Sequence, residues 1–309
     1  MPIPKIIHYF YDDIDIWRKG THSTFRMCYK SWLEKCSDYQ IKLWHDKMPE
    51  FQEMLYKSKF LRECYKRRMW AFVADYVRYY ALYNYGGIYI DTDVELLKNF
   101  DKYLDNPFFC SIEGDILNGE NIPEPAVMGG EKNHQVFKSV LDLYNSDEIF
   151  KVDYFIANII LKKIITELTD FSKIDYNSEF KEKSEKYYDK NVWTKVIKDI
   201  DVYKNQRIYI DQKSGIYIYP SEYFCPTWAS FGLKAFTDKT VSIHWNQSSW
   251  WKDYKSQKLK EIQSLRYVSA IRRYAYMNNR RVARWLTCLI PSKRIRREER
   301  AKLERELGT

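Results

Sequence analysis

One short run limits what this chain can fold into. Met69 to Tyr85 reads as a helix built on Ala71, Ala74, Tyr76, Val77, Tyr80, Ala81 and Tyr83, and Gly86-Gly87 stops it. Ile88-Tyr89-Ile90-Asp91 then reads as a strand entering from a buried edge, and its last residue opens the triplet Asp91-Thr92-Asp93. Such an order puts two carboxylates where a strand leaves the core and opens into a cleft.

An Asp-x-Asp triplet alone means little, because Asp13-Ile14-Asp15 and Asp199-Ile200-Asp201 repeat it. Only the middle copy follows a glycine pair and an apolar strand. Residues two apart in extended chain point the same way, so Asp91, Asp93 and Glu95 share a face while Thr92 and Val94 take the other. Two carboxylates so placed suit a hard divalent cation with oxygen ligands. The alternative is a solvated acidic turn.

The preceding helix adds Asp75 and Arg78, three apart and on one face. Packed beside the strand, Arg78 suits a diphosphate and Asp75 suits sugar hydroxyls; in isolation the two would be an ordinary surface ion pair. Far downstream, the run from Val241 to Trp251 delivers His244, polar residues and a tryptophan pair from one apolar strand. His244 can complete a metal shell beside the aspartates, with Ser248 and Trp250 donating to phosphate, or it can be a satisfied structural histidine.

Strands are expected at Lys5 to Tyr11, Gln40 to Trp44, Phe108 to Ile112, Ala126 to Met128, on both sides of Gly215, and at Val241 to Trp245. Helices are expected at Thr24 to Lys35, Phe51 to Tyr65, His134 to Tyr144, Asp153 to Thr169 and Lys252 to Leu265, with a helical or irregular insertion over 170–205. Alternating strands and helices through the first 145 residues favour an α/β sheet with helices on its faces.

The formal charge of +9 divides unevenly along the chain. Residues 266–309 hold thirteen basic and four acidic side chains, so residues 1–265 net to zero. We therefore expect a catalytic domain over 1–265 and a basic tail over 266–309 that meets a membrane or a polyanion locally. Within the tail, Ile271, Tyr274, Ala275, Val282, Trp285, Leu286 and Leu289 recur at helical spacing among arginines until Pro291, as in a basic amphipathic helix suited to an anionic leaflet. Packing on the domain or on a partner is the other reading, with a solvated charged end after it. Six scattered cysteines show neither a zinc nor a disulfide spacing, which fits a reducing cytosol. Asp12, Asp13 and Asp15 interrupt the first apolar run, and no stretch is long enough to span a bilayer. The expected location is cytoplasmic, peripheral on the inner face of the cell membrane.

Pro4-Lys5-Ile6-Ile7-His8, Ala74-Asp75-Tyr76-Val77-Arg78, the run from Leu82 to Glu95, and His244 with Ser248 and Trp250 together resemble the Asp-x-Asp sugar-binding-region glycosyltransferases. That family includes bacterial capsule and lipopolysaccharide enzymes and yeast initiating mannosyltransferases, with the clostridial glucosylating toxins as distant relatives. The resemblance implies a GT-A fold, Rossmann-like and built to bind a nucleotide sugar, dependence on Mn²⁺ or Mg²⁺, and retention of anomeric configuration. It also implies that Asp75 and Arg78 hold the sugar and its phosphate, that Tyr89 lines the donor pocket, and that Asp91 and Asp93 face ribose and metal. By the same resemblance His244 is the last metal ligand, Ser248 and Trp250 bind diphosphate, and Tyr11 stacks on the base with His8 and Phe10 beside it. For His8, Phe10 and Tyr11, ordinary first-strand core is the competing assignment. Glu113, six residues after Pro107 at the end of a strand, is a candidate for contacting the sugar or acceptor.

The expected activity is metal-dependent hexose transfer from a nucleotide-diphosphate sugar, UDP-hexose ahead of GDP-mannose, to a glycan or lipid-linked oligosaccharide in bacterial surface polysaccharide synthesis. A protein-modifying transferase of effector type competes within the enzyme class. A nucleic-acid-binding protein using the basic tail competes from another class, but the neutral body carries no recognised binding module, so no nucleic-acid partner is expected.

Overall fold

A computed structural model describes residues 2–12, 14–15, 17, 22–112, 122–152, 155–171, 196–198, 208–228, 233–245, 257–268, 271 and 287–306. The chain divides into two compact units, 1–48 with 74–141 and 156–247, and 49–73 with 142–155 and 248–309.

The first unit is built on a seven-stranded sheet of order β2-β1-β3-β6-β5-β9-β8. Its strands are β1 (Ile6–Phe10), β2 (Gln40–Trp44), β3 (Gly87–Ile90), β5 (Phe108–Ile112), β6 (Pro123–Gly130), β8 (Tyr209–Asp211) and β9 (Ile216–Tyr219). β1 runs parallel to β2 and β3, whereas β6 runs antiparallel to β3 and β5. Because β1 and β3 are parallel, Tyr11 and Asp91 leave the sheet at the same end, where ligands bind in open α/β sheets. The mixed α/β architecture expected of a GT-A fold is the one observed.

Helix α1 (Ser23–Lys35) packs Phe25, Cys28 and Trp32 into the core, and Trp32 Nε1 donates to Val94 O at 2.7 Å. Helix α4 (Trp70–Tyr85) ends at Gly86, with φ +66°, and Gly87 follows with φ +107°. Helices α5 (Gln135–Asn145) and α6 (Ala157–Leu168) follow in the chain, and the latter lies near β6.

A two-stranded antiparallel ribbon, β4 (Val94–Leu96) with β12 (Ser242–His244), continues directly from the aspartate triplet. β4 has no local signal strong enough to announce it. Part of the segment expected to be a helical or irregular insertion is instead β7 (Val196–Lys198), which pairs in parallel with β11 (Leu233–Phe236), itself antiparallel to β10 (Thr227–Trp228). A distant partner decides such a short strand, and lysine-rich neighbours hide it.

In the second unit the helix expected over Phe51 to Tyr65 is two, α2 (Pro49–Lys57) and α3 (Lys59–Lys66), broken at Ser58. Its buried hydroxyl accepts from Leu61 N at 3.2 Å as the cap of α3 and donates to Tyr144 O at 2.7 Å. Helix α7 (Gln257–Gln263) is tied to α3 by Arg67, which pairs with Glu63 at 2.5 Å and with Glu261 at 3.1 Å. Most of the amphipathic stretch from Ile271 to Leu289 lies outside the described residues. The charged end beyond Pro291, expected to be solvated, forms helix α8 (Lys293–Glu306), which buries Ile295, Glu299 and Leu303. No helix among the described residues is long and apolar enough to cross a membrane.

Candidate active site

The site is built where β3 ends. Asp91 N donates to Ala126 O at 2.9 Å on the neighbouring strand, and Val94 N donates to Asp91 O at 3.1 Å, so the triplet is a tight turn pinned at both ends. β12 then lies along β4 with His244 opposite Val94, and Trp245 N donates to Asp93 O at 2.9 Å. This pairing sets His244 Nε2 3.3 Å from Asp93 Oδ1. One ligand atom from each of Asp91, Asp93 and His244 lies within 4.8 Å of the others, and all three side chains are half-buried. Two carboxylates and an imidazole, partly open to solvent, could hold a divalent cation.

Behind these groups stands Arg78. Its Nη2 meets Asp75 at 2.9 Å and Asp91 at 3.1 Å, its Nη1 donates to Pro125 O at 2.9 Å, and its guanidinium sits 4.9 Å over the Tyr89 ring. Tyr89 is 1 % exposed, so it supports Arg78 from within the core. Burial pushes the Asp75 carboxyl up to about 7 and that of Asp91 up to about 6, with Arg78 opposing both. Burial alone would lower the His244 imidazole, but Asp93 beside it wins and holds it well above the usual range.

The first-strand candidates separate. His8 is wholly buried: its Nε2 donates to Gly86 O at 2.8 Å, and its Nδ1 accepts from Trp44 Nε1 at 3.1 Å. It is a structural residue, not a donor contact, and Phe10 at 6 % exposure is core as well. Tyr11 is half-buried, 4.7 Å from the Phe25 ring at the sheet's ligand-facing end. Ser248, Trp250 and Glu113 lie outside the described residues.

Sequence reasoning missed Glu124. In β6 the register to β5 shifts between Cys110 and Ser111, and the bulge turns Glu124 inward at 5 % exposure. Its Oε1 accepts from Ala126 N at 2.9 Å and its Oε2 from Asn158 Nδ2 at 3.0 Å. The available signal was a carboxylate bracketed by Pro123 and Pro125 at the head of an apolar run.

Residues 23–109 match the family described as "Glycosyltransferase sugar-binding region containing DXD motif". The chain is 27 % identical over 207 residues to an "uncharacterized glycosyltransferase" of Acanthamoeba polyphaga mimivirus, covering 61 % of this chain and 76 % of that protein. It is 30 % identical over 164 residues to the mannosyl phosphorylinositol ceramide synthase of Saccharomyces cerevisiae, covering 49 % of this chain but only 37 % of the yeast protein. Among solved structures, the PaToxG glycosyltransferase superposes with a TM-score of 0.43 at 14 % identity, over 55 % of this chain and 70 % of that one.

Proposed function

We propose, starting from the match of residues 23–109 to the DXD-containing glycosyltransferase sugar-binding region, that the chain is a metal-dependent, retaining hexosyltransferase that draws on a nucleotide-diphosphate sugar. The observation that carries this reading is the convergence of Asp91, Asp93 and His244 within 4.8 Å, from segments some 150 positions apart, directly in front of Arg78.

Each group has a separate task. Asp91, Asp93 and His244 would hold the cation, Mn²⁺ in preference to Mg²⁺. A cation held there would supply charge neutralisation for a departing diphosphate. Arg78 fixes Asp91 through an ion pair and adds positive potential at the same spot. Asp75, held on Arg78 at 2.9 Å, faces the position of sugar hydroxyls, and Tyr11 offers a ring to the base. Paired carboxylates of a glycosidase flank the scissile bond. Here both sit with an imidazole, as cation ligands do.

UDP-hexose is the favoured donor. GDP-mannose is the other to test, since one relative is by name a mannosyl phosphorylinositol ceramide synthase. The acceptor is proposed to be a glycan or lipid-linked oligosaccharide of surface polysaccharide synthesis, capsule or lipopolysaccharide, reached from the inner face of the cell membrane with residues 266–309 on anionic lipid. The test is a panel of nucleotide sugars with Mn²⁺, scored for donor hydrolysis, which needs no acceptor. Hydrolysis of one donor by the native chain, abolished by chelation and by Asp93→Ala, is expected; a fully active Asp93→Ala enzyme overturns the reading.

A further inference from the structure

We propose that Glu124 is a positioning residue for Arg78, acting through one peptide plane whose N–H its carboxylate holds and whose C=O the guanidinium holds. This inference deepens the reading of the site given above and rests on it.

The strand ladder leaves this plane to a side chain. β5 pairs Cys110 with Met128 and Ser111 with Glu124, so Pro125, Ala126 and Val127 stand opposite no β5 residue. Pro125 removes most of the local freedom, because it restricts Glu124 to extended backbone and its ring fixes its own φ. What remains is rotation of the plane that joins Pro125 to Ala126. Glu124 stops it: its Oε1 accepts from Ala126 N at 2.9 Å, while Asn158 Nδ2, from the first turn of α6, donates to Oε2 at 3.0 Å. N–H and C=O of a trans peptide point in opposite directions, so fixing one aims the other. The carbonyl thus aimed is Pro125 O, which accepts from Arg78 Nη1 at 2.9 Å and leaves Nη2 for Asp75 and Asp91. A carboxylate at one end and a guanidinium at the other polarise the amide between them and strengthen both bonds. The next carbonyl, Ala126 O, accepts from Asp91 N at 2.9 Å, so the same piece of chain sets the backbone of the carboxylate that Arg78 holds.

The test compares Mn²⁺ affinity, read by electron paramagnetic resonance of free Mn²⁺, and amide hydrogen exchange at Asp91 in the metal-free chain. Glu124→Met keeps an unbranched side chain of similar length and removes both acceptors. Glu124→Gln keeps an oxygen for Ala126 N and an amide that pairs with Asn158 once the asparagine amide turns over. We expect the methionine variant to bind Mn²⁺ roughly 10-fold more weakly, as is typical when a partner behind a metal ligand is lost, and to exchange the Asp91 amide faster, with glutamine restoring both. A folded methionine variant with native Mn²⁺ affinity or native exchange at Asp91, whatever its thermal midpoint, makes Glu124 merely structural and overturns the inference. So does a glutamine variant as impaired as the methionine one. If the methionine chain fails to fold, Asn158→Ala, which releases Oε2 alone, takes its place; a smaller change in the same direction is expected, and no change overturns the inference. A native chain that does not bind Mn²⁺ overturns the metal-site reading instead, and exchange at Asp91 still judges the positioning role.

Discussion

Arg78 and His8 show how far a residue's meaning depends on what surrounds it. Arg78 with Asp75 is a helical ion pair on paper, but in the fold its 6 % exposed side chain also holds Asp91 and the Pro125 carbonyl. A guanidinium with several fixed acceptors orients the Asp91 carboxylate proposed as a metal ligand, which lysine cannot reproduce. His8 is the opposite case, a polar residue wholly spent on structure. Trp44 Nε1 can only donate, so Nδ1 of His8 must accept and the ring must be neutral. Burial accordingly lowers its pKa to about 4. The unfolded chain protonates His8 near pH ~6.5, before the folded one does, so this contribution is complete above that pH and is lost as pH falls toward 4. It amounts to about 3 kcal/mol at full burial. Denaturant midpoints measured from pH 7 to 4 should fall for the native chain and fall less steeply for His8→Gln, whose amide can accept from Trp44 and donate to Gly86; parallel curves would refute the assignment.

At the scale of elements, the glycine pair does more than end α4. A Cβ on Gly87 would come within 2.6 Å of Ile6 O and 3.0 Å of His8 Nε2, at a φ of +107° that L side chains rarely adopt. The helix thus stops where β3 can lie tight against β1, and the same close approach seats His8. Gly87→Ala should cost roughly 2–3 kcal/mol and, because β3 carries Asp91, weaken Mn²⁺ binding along with stability. Thermal unfolding and Mn²⁺ titration of one preparation test both, and an unchanged midpoint would contradict the close approach. The β4–β12 ribbon is the element that brings His244 to Asp93, since a slip of one residue would swing His244 to the opposite face.

For the whole molecule, part of the +9 carried by residues 266–309 lies on a described helix. Those residues belong to a unit that also holds 49–73 and 142–155, and helix α8 buries one face while exposing Lys293, Arg294, Arg297, Lys302 and Arg305. Basic side chains near an anionic bilayer contribute about 1 kcal/mol each. The triple variant Lys293→Glu, Arg294→Glu, Arg297→Glu should therefore lose co-sedimentation with phosphatidylserine vesicles at unchanged stability; retained pelleting would assign this face to another role. Much of this protein was legible in its residues. The glycine stop, the buried strand and the paired aspartates were readable because each depends on near neighbours, through helix sterics, alternation and burial. Apolar runs likewise announced most strands of the large sheet. What only the tertiary structure decided was which distant groups meet: His244 at Asp93 through the pairing of β12 with β4, Arg78 on Asp91, Glu124 turned inward by a bulge, and His8 withdrawn into the core. Strand register joins segments some 150 positions apart, and it is chosen by the packing of the whole sheet, which no local pattern encodes.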